Sequence, residues 1–326
     1  MILALETSCD DTCAALVERD GTILANVISS QEVHERFGGV VPEVAARAHL
    51  ELIEPVVAEA FRRAGASLAD VELVAATQGP GLVGALLVGF SVAKALAAAR
   101  ELPFAAVDHL AGHVAAAYLA PASFEPPFVA LIASGGHTLL LAVRDREQPP
   151  EVLARTLDDA AGEAFDKGAR LLGLGYPGGA PLERLARSGD PQAFEFPSGR
   201  GEDFSFAGLK TALLYRAREL DLEDEQVRAD LAAGYQRAIV QALVGRTERA
   251  LERTGIQRLA LGGGVAANGP LRERLAQLGV ELFLPPLSLC TDNAAMIAAA
   301  ALLRPPLRYP DYLPLDVYAT GEGPLR

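Results

Sequence analysis

The feature that most restricts how this chain can fold is a pattern that occurs twice. Residues 2–8 form an apolar run, Cys9-Asp10-Asp11-Thr12 turns, and Cys13 to Val17 is apolar again, which reads as a β-hairpin. The pattern restarts at Phe128 to Ala133, turns through Ser134-Gly135-Gly136-His137-Thr138, and continues with Leu139 to Val143. Laid over one another without gaps, 2–17 and 128–143 pair Ala4 with Ala130, Leu5 with Leu131, Ser8 with Ser134, Thr12 with Thr138 and Val17 with Val143. A second correspondence runs in the same order. It joins the strand, glycine loop and helix of 71–99, with Gln78-Gly79-Pro80-Gly81 between them, to Arg258–Leu261, Gly262-Gly263-Gly264 and a helix from about Pro270. Two halves of this kind predict a duplicated α/β fold whose two lobes face a cleft, with ligands at the loops leaving the strands.

Within the first half, Gly21-Thr22 leads into a third strand, Ile23 to Ser29, and Pro42 opens a helix to Ala64. The strand Val71 to Thr77 is followed by a small-residue helix to about Arg100, and a further helix is predicted over Val107 to Leu119. The linker falls at Pro121 to Pro127, and Pro305-Pro306 begins an irregular tail. The predicted division is therefore a first lobe over 1–122, a second over 123–303, and a tail over 304–326 that packs back on the first.

Composition narrows the setting. The first six residues, Met1 to Glu6, lack a basic region and reach an acid, unlike a signal peptide. Leu82 to Ala99 is interrupted by Gly84, Gly89, Ser91 and Lys94, too mixed for a membrane span. Cys9, Cys13 and Cys290 have no metal or redox spacing, so a cytoplasmic protein with buried thiols is expected. A net charge of −13 opposes a stand-alone nucleic-acid binder, so an RNA substrate would require local basic clusters or partner proteins. Lysine occurs only at 94, 167 and 210 and asparagine only at 26, 268 and 293. Where a residue type is so rarely used, each use invites a specific reason, because an ammonium or a carboxamide does what guanidinium cannot.

His109-Leu110-Ala111-Gly112-His113 puts two of the five histidines at i and i+4 on one helix face, where they can share a divalent ion. Asp292, in Thr291-Asp292-Asn293 before a helix over Ala294 to Leu303, is the candidate third ligand; its bland alternative is a plain N-terminal helix acid. Two imidazoles, one carboxylate and open positions suit Fe(II) or Zn. The absence of glutamate after His109 argues against a zinc protease of the H-E-x-x-H kind.

The turns Ser134 to Thr138, Gly262 to Gly264 with Asn268, and Tyr176-Pro177-Gly178-Gly179 can bring bare backbone to a phosphate, although glycine turns are mostly only turns. Asp159, Glu163 and Asp166 fall on one face of a predicted helix, where they repel unless a cation, a hydroxyl-rich ligand or Lys167 relieves them. Asp166 can accept from a ribose hydroxyl, and Lys210, at a helix start in Phe204 to Thr211, can meet a phosphate or an RNA backbone.

These motifs, together with Glu6-Thr7-Ser8-Cys9-Asp10-Asp11-Thr12 and Thr291 to Met296, stand in the order found in the universal tRNA threonylcarbamoyltransferase family, once labelled glycoprotease. The chain resembles its bacterial members over essentially its whole length. The resemblance implies a sugar kinase–Hsc70–actin (ASKHA) fold and an acyltransferase that moves the threonylcarbamoyl group of threonylcarbamoyl-AMP to the exocyclic amine of the adenosine 3′ of the anticodon in tRNA. It implies one divalent metal, Fe(II) first and Zn second, held by His109, His113 and Asp292. It further implies that Ile132, Ala133, Ser134, Gly135, Gly136, Asp166, Gly179, Glu183 and Asn268 hold the adenylate. An inactive paralogue of similar fold and a small P-loop ATPase are the implied partners. Two positions depart from the family pattern: Glu183 replaces a usual Asp, and Ala111 a common Glu. The competing readings are an ATP-dependent small-molecule kinase of the same superfold, which would need Mg and phosphates rather than a histidine pair, and a non-catalytic scaffold, which should lack that pair.

Overall fold

The computed structural model describes residues 1–319 apart from 120, 122 and 200. It contains two compact units: Met1–Glu125 with the chain from Asp292 onward, and Pro126–Thr291.

In the first unit, β1 (Ile2–Glu6), β2 (Asp11–Val17) and β3 (Ile23–Ser30) form an antiparallel meander, to which β4 (Leu73–Gly79) and β5 (Phe104–Asp108) add in parallel. The order is β3-β2-β1-β4-β5. Alternation along the strands decides which side chain meets which layer. Leu3, Leu5, Ala14, Leu16, Val74 and Ala76 pack with α1 (Pro42–Ala64) and α2 (Val83–Ala99), through Ile53, Ala60, Phe90 and Ala97. The opposite parity places Ala4, Glu6, Cys13 and Thr77 on the other face. There α3 (His109–Ala115) packs against α9 (Ala294–Ala301), and α9 also meets β1 and β2. Helix α1 opens with Pro42 at its first turn and ends at Gly65, whose φ of 61° supplies the left-handed cap.

The second unit repeats the sheet. Strands β6 (Phe128–Ala133), β7 (Thr138–Val143) and β8 (Glu151–Arg155) form the meander, and β9 (Arg258–Gly262) and β10 (Glu281–Phe283) extend it in parallel, in the order β10-β9-β6-β7-β8. The repetition holds at the level of register. Ile2↔Val17 and Leu3↔Leu16 in the first hairpin correspond to Phe128↔Val143 and Val129↔Ala142 in the second. Likewise Leu3↔Val74 corresponds to Val129↔Leu259. The gapless alignment of the two sequence segments thus matches strand for strand. The second unit differs after its third strand: α4 (Ala161–Leu171), α5 (Gly179–Ala186), α6 (Ala207–Glu219) and the long α7 (Glu225–Thr254) precede β9, and α8 (Gly269–Ala276) comes after it. The α7 helix is capped by Asp224, which accepts from the Gln226 and Val227 N–H groups, and it buries Leu231, Tyr235, Ile239 and Leu243 in the core.

Three sequence expectations are corrected. Val107 to Leu119 is not one helix: Val107 and Asp108 end β5, and α3 runs only from His109 to Ala115. Asp159 lies before α4 rather than on its face. The chain from Asp292 to 303 groups with the first unit, not the second. The alanine-rich α9 is buried on every side, and its partners there are β1, β2 and α3. The tail from 304 also packs on this unit: Leu307 pairs with Phe104, and Tyr312 is buried against the Phe104 ring at 5.2 Å between centroids.

Candidate metal centre and glycine-lined loops

In the first unit, Asp108 ends β5 and caps α3 by accepting from the Ala111 N–H at 3.0 Å, which makes His109 the first helical residue and His113 the fifth. Gly112 lets this helix close on α9, since a Cβ there would stand 2.8 Å from Ile297 Cδ1. On α9 the N-cap is Asn293, accepting from the Met296 N–H at 3.0 Å, so Asp292 is not the capping residue.

The three residues proposed from sequence converge. Asp292 Oδ1 lies 3.5 Å from His109 Nε2 and 3.3 Å from His113 Nε2, and the three ligand atoms all lie within 4.8 Å of one another. The two short separations are what ligands about 2.1 Å from a common ion would have. Among the described residues neither buried ring nitrogen of His113 has a hydrogen-bond partner, and an ion coordinated at Nε2, which faces Asp292, would relieve that cost at one of the two. On chemistry and spacing, these residues fit a divalent metal.

In the sequence Glu6 appears as an early acid and as the first residue of a family motif, with no role of its own assigned to it. It is wholly buried, and its Oε2 lies 2.9 Å from His109 Nδ1. It also accepts from Thr77 Oγ1 at 2.5 Å and from the Ser8 N–H. Because a carboxylate only accepts, the His109 proton belongs on Nδ1, and Nε2 is left to face Asp292. Burial works to raise the Glu6 carboxyl, but the charge and hydrogen bond of His109 outweigh it and hold Glu6 below the usual range. Burial likewise works to lower His109, but the charges of Asp292 and Glu6 push it up to about 9. Beside this group, burial raises Asp11 to about 7, and Cys13 Sγ lies 3.6 Å from the Asp292 carbonyl.

The remaining predicted residues lie in the second unit. Ile132 and Ala133 end β6, and the turn at Ser134 is closed by its N–H to His137 O at 2.8 Å. The start of α4 is tied to this loop: Gly162 N–H donates to Ser134 O at 3.0 Å, and Ala161 N–H to Thr138 Oγ1 at 2.8 Å. Gly263, with φ of 85°, packs against the Ala133 backbone so closely that a Cβ would lie 2.3 Å from its carbonyl oxygen. Gly135, Gly136 and Gly179 are different: a Cβ there would meet nothing within 4 Å, so each leaves open space over bare backbone. Asp166 Oδ1 accepts from the Gly178 N–H at 2.7 Å and so fixes the turn that begins α5.

Glu183 and Asn268 meet. Asn268 Nδ2 donates to Glu183 Oε2 and to Gln236 Oε1, each at 3.0 Å, while its Oδ1 caps α8 through the Leu271 N–H. Glu183 Oε1 accepts from Arg187 at 3.0 Å. Both Nδ2 hydrogens and the Oδ1 of Asn268 are therefore engaged within the protein. Gln236, on α7, was not anticipated. Lys167 does relieve the acidic group, at 2.7 Å from Asp159 and 2.8 Å from Glu163. Asp158 anchors the start of α6, accepting from Ser205 Oγ and from the Phe206 and Ala207 N–H groups.

The duplicated sheet topology and the His–His–Asp group that can hold an ion together define a protein of the sugar kinase–Hsc70–actin superfold with a metal-type site. Solved structures agree on the fold. HypF from T. kodakarensis matches with a TM-score of 0.60 at 15% identity, over 92% of this chain and 47% of that one. Component A of the (R)-2-hydroxyglutaryl-CoA dehydratase of Acidaminococcus fermentans matches at 0.56 and 17%, over 92% and 96%. Within that superfold, residues 22–299 match the family model for TsaD, tRNA N6-adenosine threonylcarbamoyltransferase, and the chain belongs to this family. Proteins of that name from Symbiobacterium thermophilum and Anaeromyxobacter dehalogenans are 52% and 51% identical to it. These matches cover 92% and 95% of this chain, and 90% and 96% of the relatives.

Proposed function

We propose that this chain transfers the threonylcarbamoyl group of threonylcarbamoyl-AMP to the exocyclic amine of the adenosine 3′ of the anticodon in tRNAs. The amine nitrogen bonds to the carbamoyl carbon, the bond from that carbon to the phosphate oxygen breaks, AMP leaves, and the nitrogen gives up one proton. The observation that carries the reading is the convergence of His109, His113 and Asp292, in a member of this family, with Glu6 fixing the tautomer of His109. A kinase of the same superfold has no need of such a group, and a scaffold has no need of any.

In this reading His109, His113 and Asp292 hold one divalent ion, Fe(II) first and Zn second by their donor set. Such an ion supplies Lewis acidity toward a carbonyl oxygen. Ile132 to Gly136, Asp166, Gly179 and Glu183 take the adenylate. Open backbone at Gly135, Gly136 and Gly179 suits phosphate, the Glu183 carboxylate suits a ribose hydroxyl, and Asn268 orients Glu183. The residues' task is to hold the reacting groups in one geometry, which by itself removes a large part of an acyl-transfer barrier.

An inactive paralogue of similar fold and a small P-loop ATPase complete the system, in the cytoplasm. The net charge of −13 supports a partner-supplied share of the tRNA surface, and the three free thiols suit a reducing compartment. Among the described residues no helix is long and apolar enough to cross a membrane.

The test is a transfer assay with chain, partners, tRNA and threonylcarbamoyl-AMP, run beside His109→Ala. The parent forms product, and the variant loses at least about a hundredfold in rate, as removal of several kcal/mol of transition-state stabilisation requires. Equal rates would remove the metal from the mechanism.

A further inference from the structure

The chain after α9 does more than cover the first sheet. Leu307 bonds both ways with Phe104 at the free edge of β5, each at 2.9 Å. Lys94 Nζ donates to the carbonyls of Leu313 at 3.2 Å and Leu315 at 2.7 Å. Gln78 Nε2 donates to the Asp316 carbonyl at 2.7 Å, and the Gln78 carbonyl accepts from the Tyr318 N–H at 3.1 Å. The strap thus runs from the start of β5 to its end, held by main-chain hydrogen bonds at Leu307 and Tyr318 and, between them, by the Lys94 and Gln78 side chains donating to its carbonyls. At its far end the Tyr318 hydroxyl donates to Asp108 Oδ2 at 2.6 Å.

Asp108 is the residue before His109. Its other carboxylate oxygen caps α3. With both oxygens engaged, its side chain has one orientation, and so does the first turn of a helix only seven residues long. A helix this short has little stability of its own, so its direction depends on its cap and its packing. Both histidines project from that helix, and a small rotation would separate their Nε2 atoms from Asp292. The end of β4 is cut to fit the strap, since a Cβ on Gly79 would collide with the Tyr318 carbonyl oxygen. Burial, followed by the Asp108 charge, raises the Tyr318 hydroxyl well above its usual value, which keeps it a donor.

We infer that Tyr318 is a positioning residue of the metal centre: by locking Asp108, the cap of α3, it aims His109 and His113 at Asp292. This rests on the metal reading above. The test uses the full chain, stripped of metal and titrated with Co(II) against a chromophoric chelator, comparing the parent with Tyr318→Phe and Tyr312→Phe. Tyr312 belongs to the same strap, but among the described residues its hydroxyl has no hydrogen-bond partner, so Tyr312→Phe controls for general loosening. The expected result is about tenfold weaker Co(II) binding and an altered visible spectrum for Tyr318→Phe, the lower end for outer partners of metal ligands. Tyr312→Phe should stay within about twofold of the parent in Co(II) affinity, and the metal-free melting temperatures of both variants should stay close to that of the parent. Parental affinity and spectrum in a folded Tyr318→Phe would overturn the inference alone; a parent that takes no Co(II) would overturn the metal reading with it. Should Tyr318→Phe not fold, Gln78→Ala, which releases Asp316, is titrated in its place and must weaken Co(II) in the same direction; unchanged affinity there overturns the inference.

Discussion

Glu6 stands directly behind His109, its Oε2 2.9 Å from Nδ1, although 103 residues separate them in the chain. The pairing follows from strand parity: Leu3 and Leu5 turn toward α1 and α2, so Glu6 must turn toward α3 and α9. An ionised group without a partner would not survive in that layer. Glu6 has three: the imidazole, the Thr77 hydroxyl and the Ser8 N–H.

Glu6→Gln should therefore separate two roles. The amide oxygen can still accept one hydrogen bond, but the charge that favours Nδ1–H and raises the basicity of Nε2 is gone. Metal affinity should fall by about 10- to 100-fold, as for other outer partners of ligating histidines. Glu6→Ala also leaves buried donors unpaired and should cost about 1–3 kcal/mol for each one orphaned. Chelator competition measures the first effect and denaturant unfolding the second. A Gln variant with parental affinity would mean that Glu6 is only structural.

The pH dependence has a definite sign. The folded pKa of His109, about 9, lies above its ordinary value of 6.5, so its contribution to stability is complete below about 6.5 and disappears as pH rises through 9. Glu6 is shifted down, so its contribution is present above its ordinary 4.5 and is lost as pH falls below it. The metal-free chain should thus be most stable between these limits, and the His109 part of the loss toward pH 9 is on the order of 3 kcal/mol. Metal binding runs the other way, because the ion must displace the proton on His109. Co(II) affinity should rise about tenfold per pH unit from 6.5 toward 9 and then level off. A flat profile would show that no ligand proton is displaced.

How much of this was legible in the sequence depends on the range of the interaction. The duplicated hairpins were, because strand period and register are local, and Ile2↔Val17 recurs as Phe128↔Val143. The metal ligands were, because a histidine pair at i and i+4 and an acid before a helix are local patterns. Strand β5 was not: Asp108 closes the strand and caps the helix at once, so no turn residue separates Phe104–Asp108 from α3. The placement of α9 was not, because a run of alanines fits any apolar layer and the contacts that seat it here, such as Gly112 against Ile297, join residues far apart in sequence. Glu6 and Gln236 escaped for the same reason, since their meaning lies in partners about a hundred and about thirty residues away.

Two glycines in the second unit should respond differently in stability. Gly162→Ala forces a Cβ to 2.6 Å from Ser134 O and 2.7 Å from Gly135 N, both backbone atoms that cannot swing aside. It should displace the 134–136 loop, cost about 1–3 kcal/mol and weaken adenylate binding. Gly135→Ala meets nothing within 4 Å and should leave stability unchanged. Its methyl instead occupies the open space over the loop, so AMP affinity should fall by at least about tenfold if phosphate lies there. Calorimetric titration with AMP, paired with thermal melts, distinguishes the two. Parental AMP affinity in Gly135→Ala would remove the 134–136 loop from the adenylate site.

Glu183 offers the last test, since the sequence resemblance leads to an expectation of aspartate there. Here the longer side chain reaches Asn268, Arg187 and, at 3.4 Å, the Gly269 N–H. Shortening it by one methylene would draw the carboxylate away from Asn268 Nδ2 and Gly269, leaving a mostly buried amide hydrogen without its acceptor at a cost of about 1–3 kcal/mol. Gln236→Leu should produce a related defect from the other side, because it removes the second acceptor of that amide and frees Asn268 to turn. If Glu183 receives a ribose hydroxyl and Asn268 orients it, Glu183→Asp and Gln236→Leu should each weaken adenosine ligands by several-fold, and the double variant should lose less than the product of the two. Deoxyadenosine monophosphate supplies the control, since a ligand without the 2′-hydroxyl should discriminate poorly between the parent and Glu183→Asp. Fully multiplicative losses would mean that the two residues act separately and that Asn268 does not transmit between them.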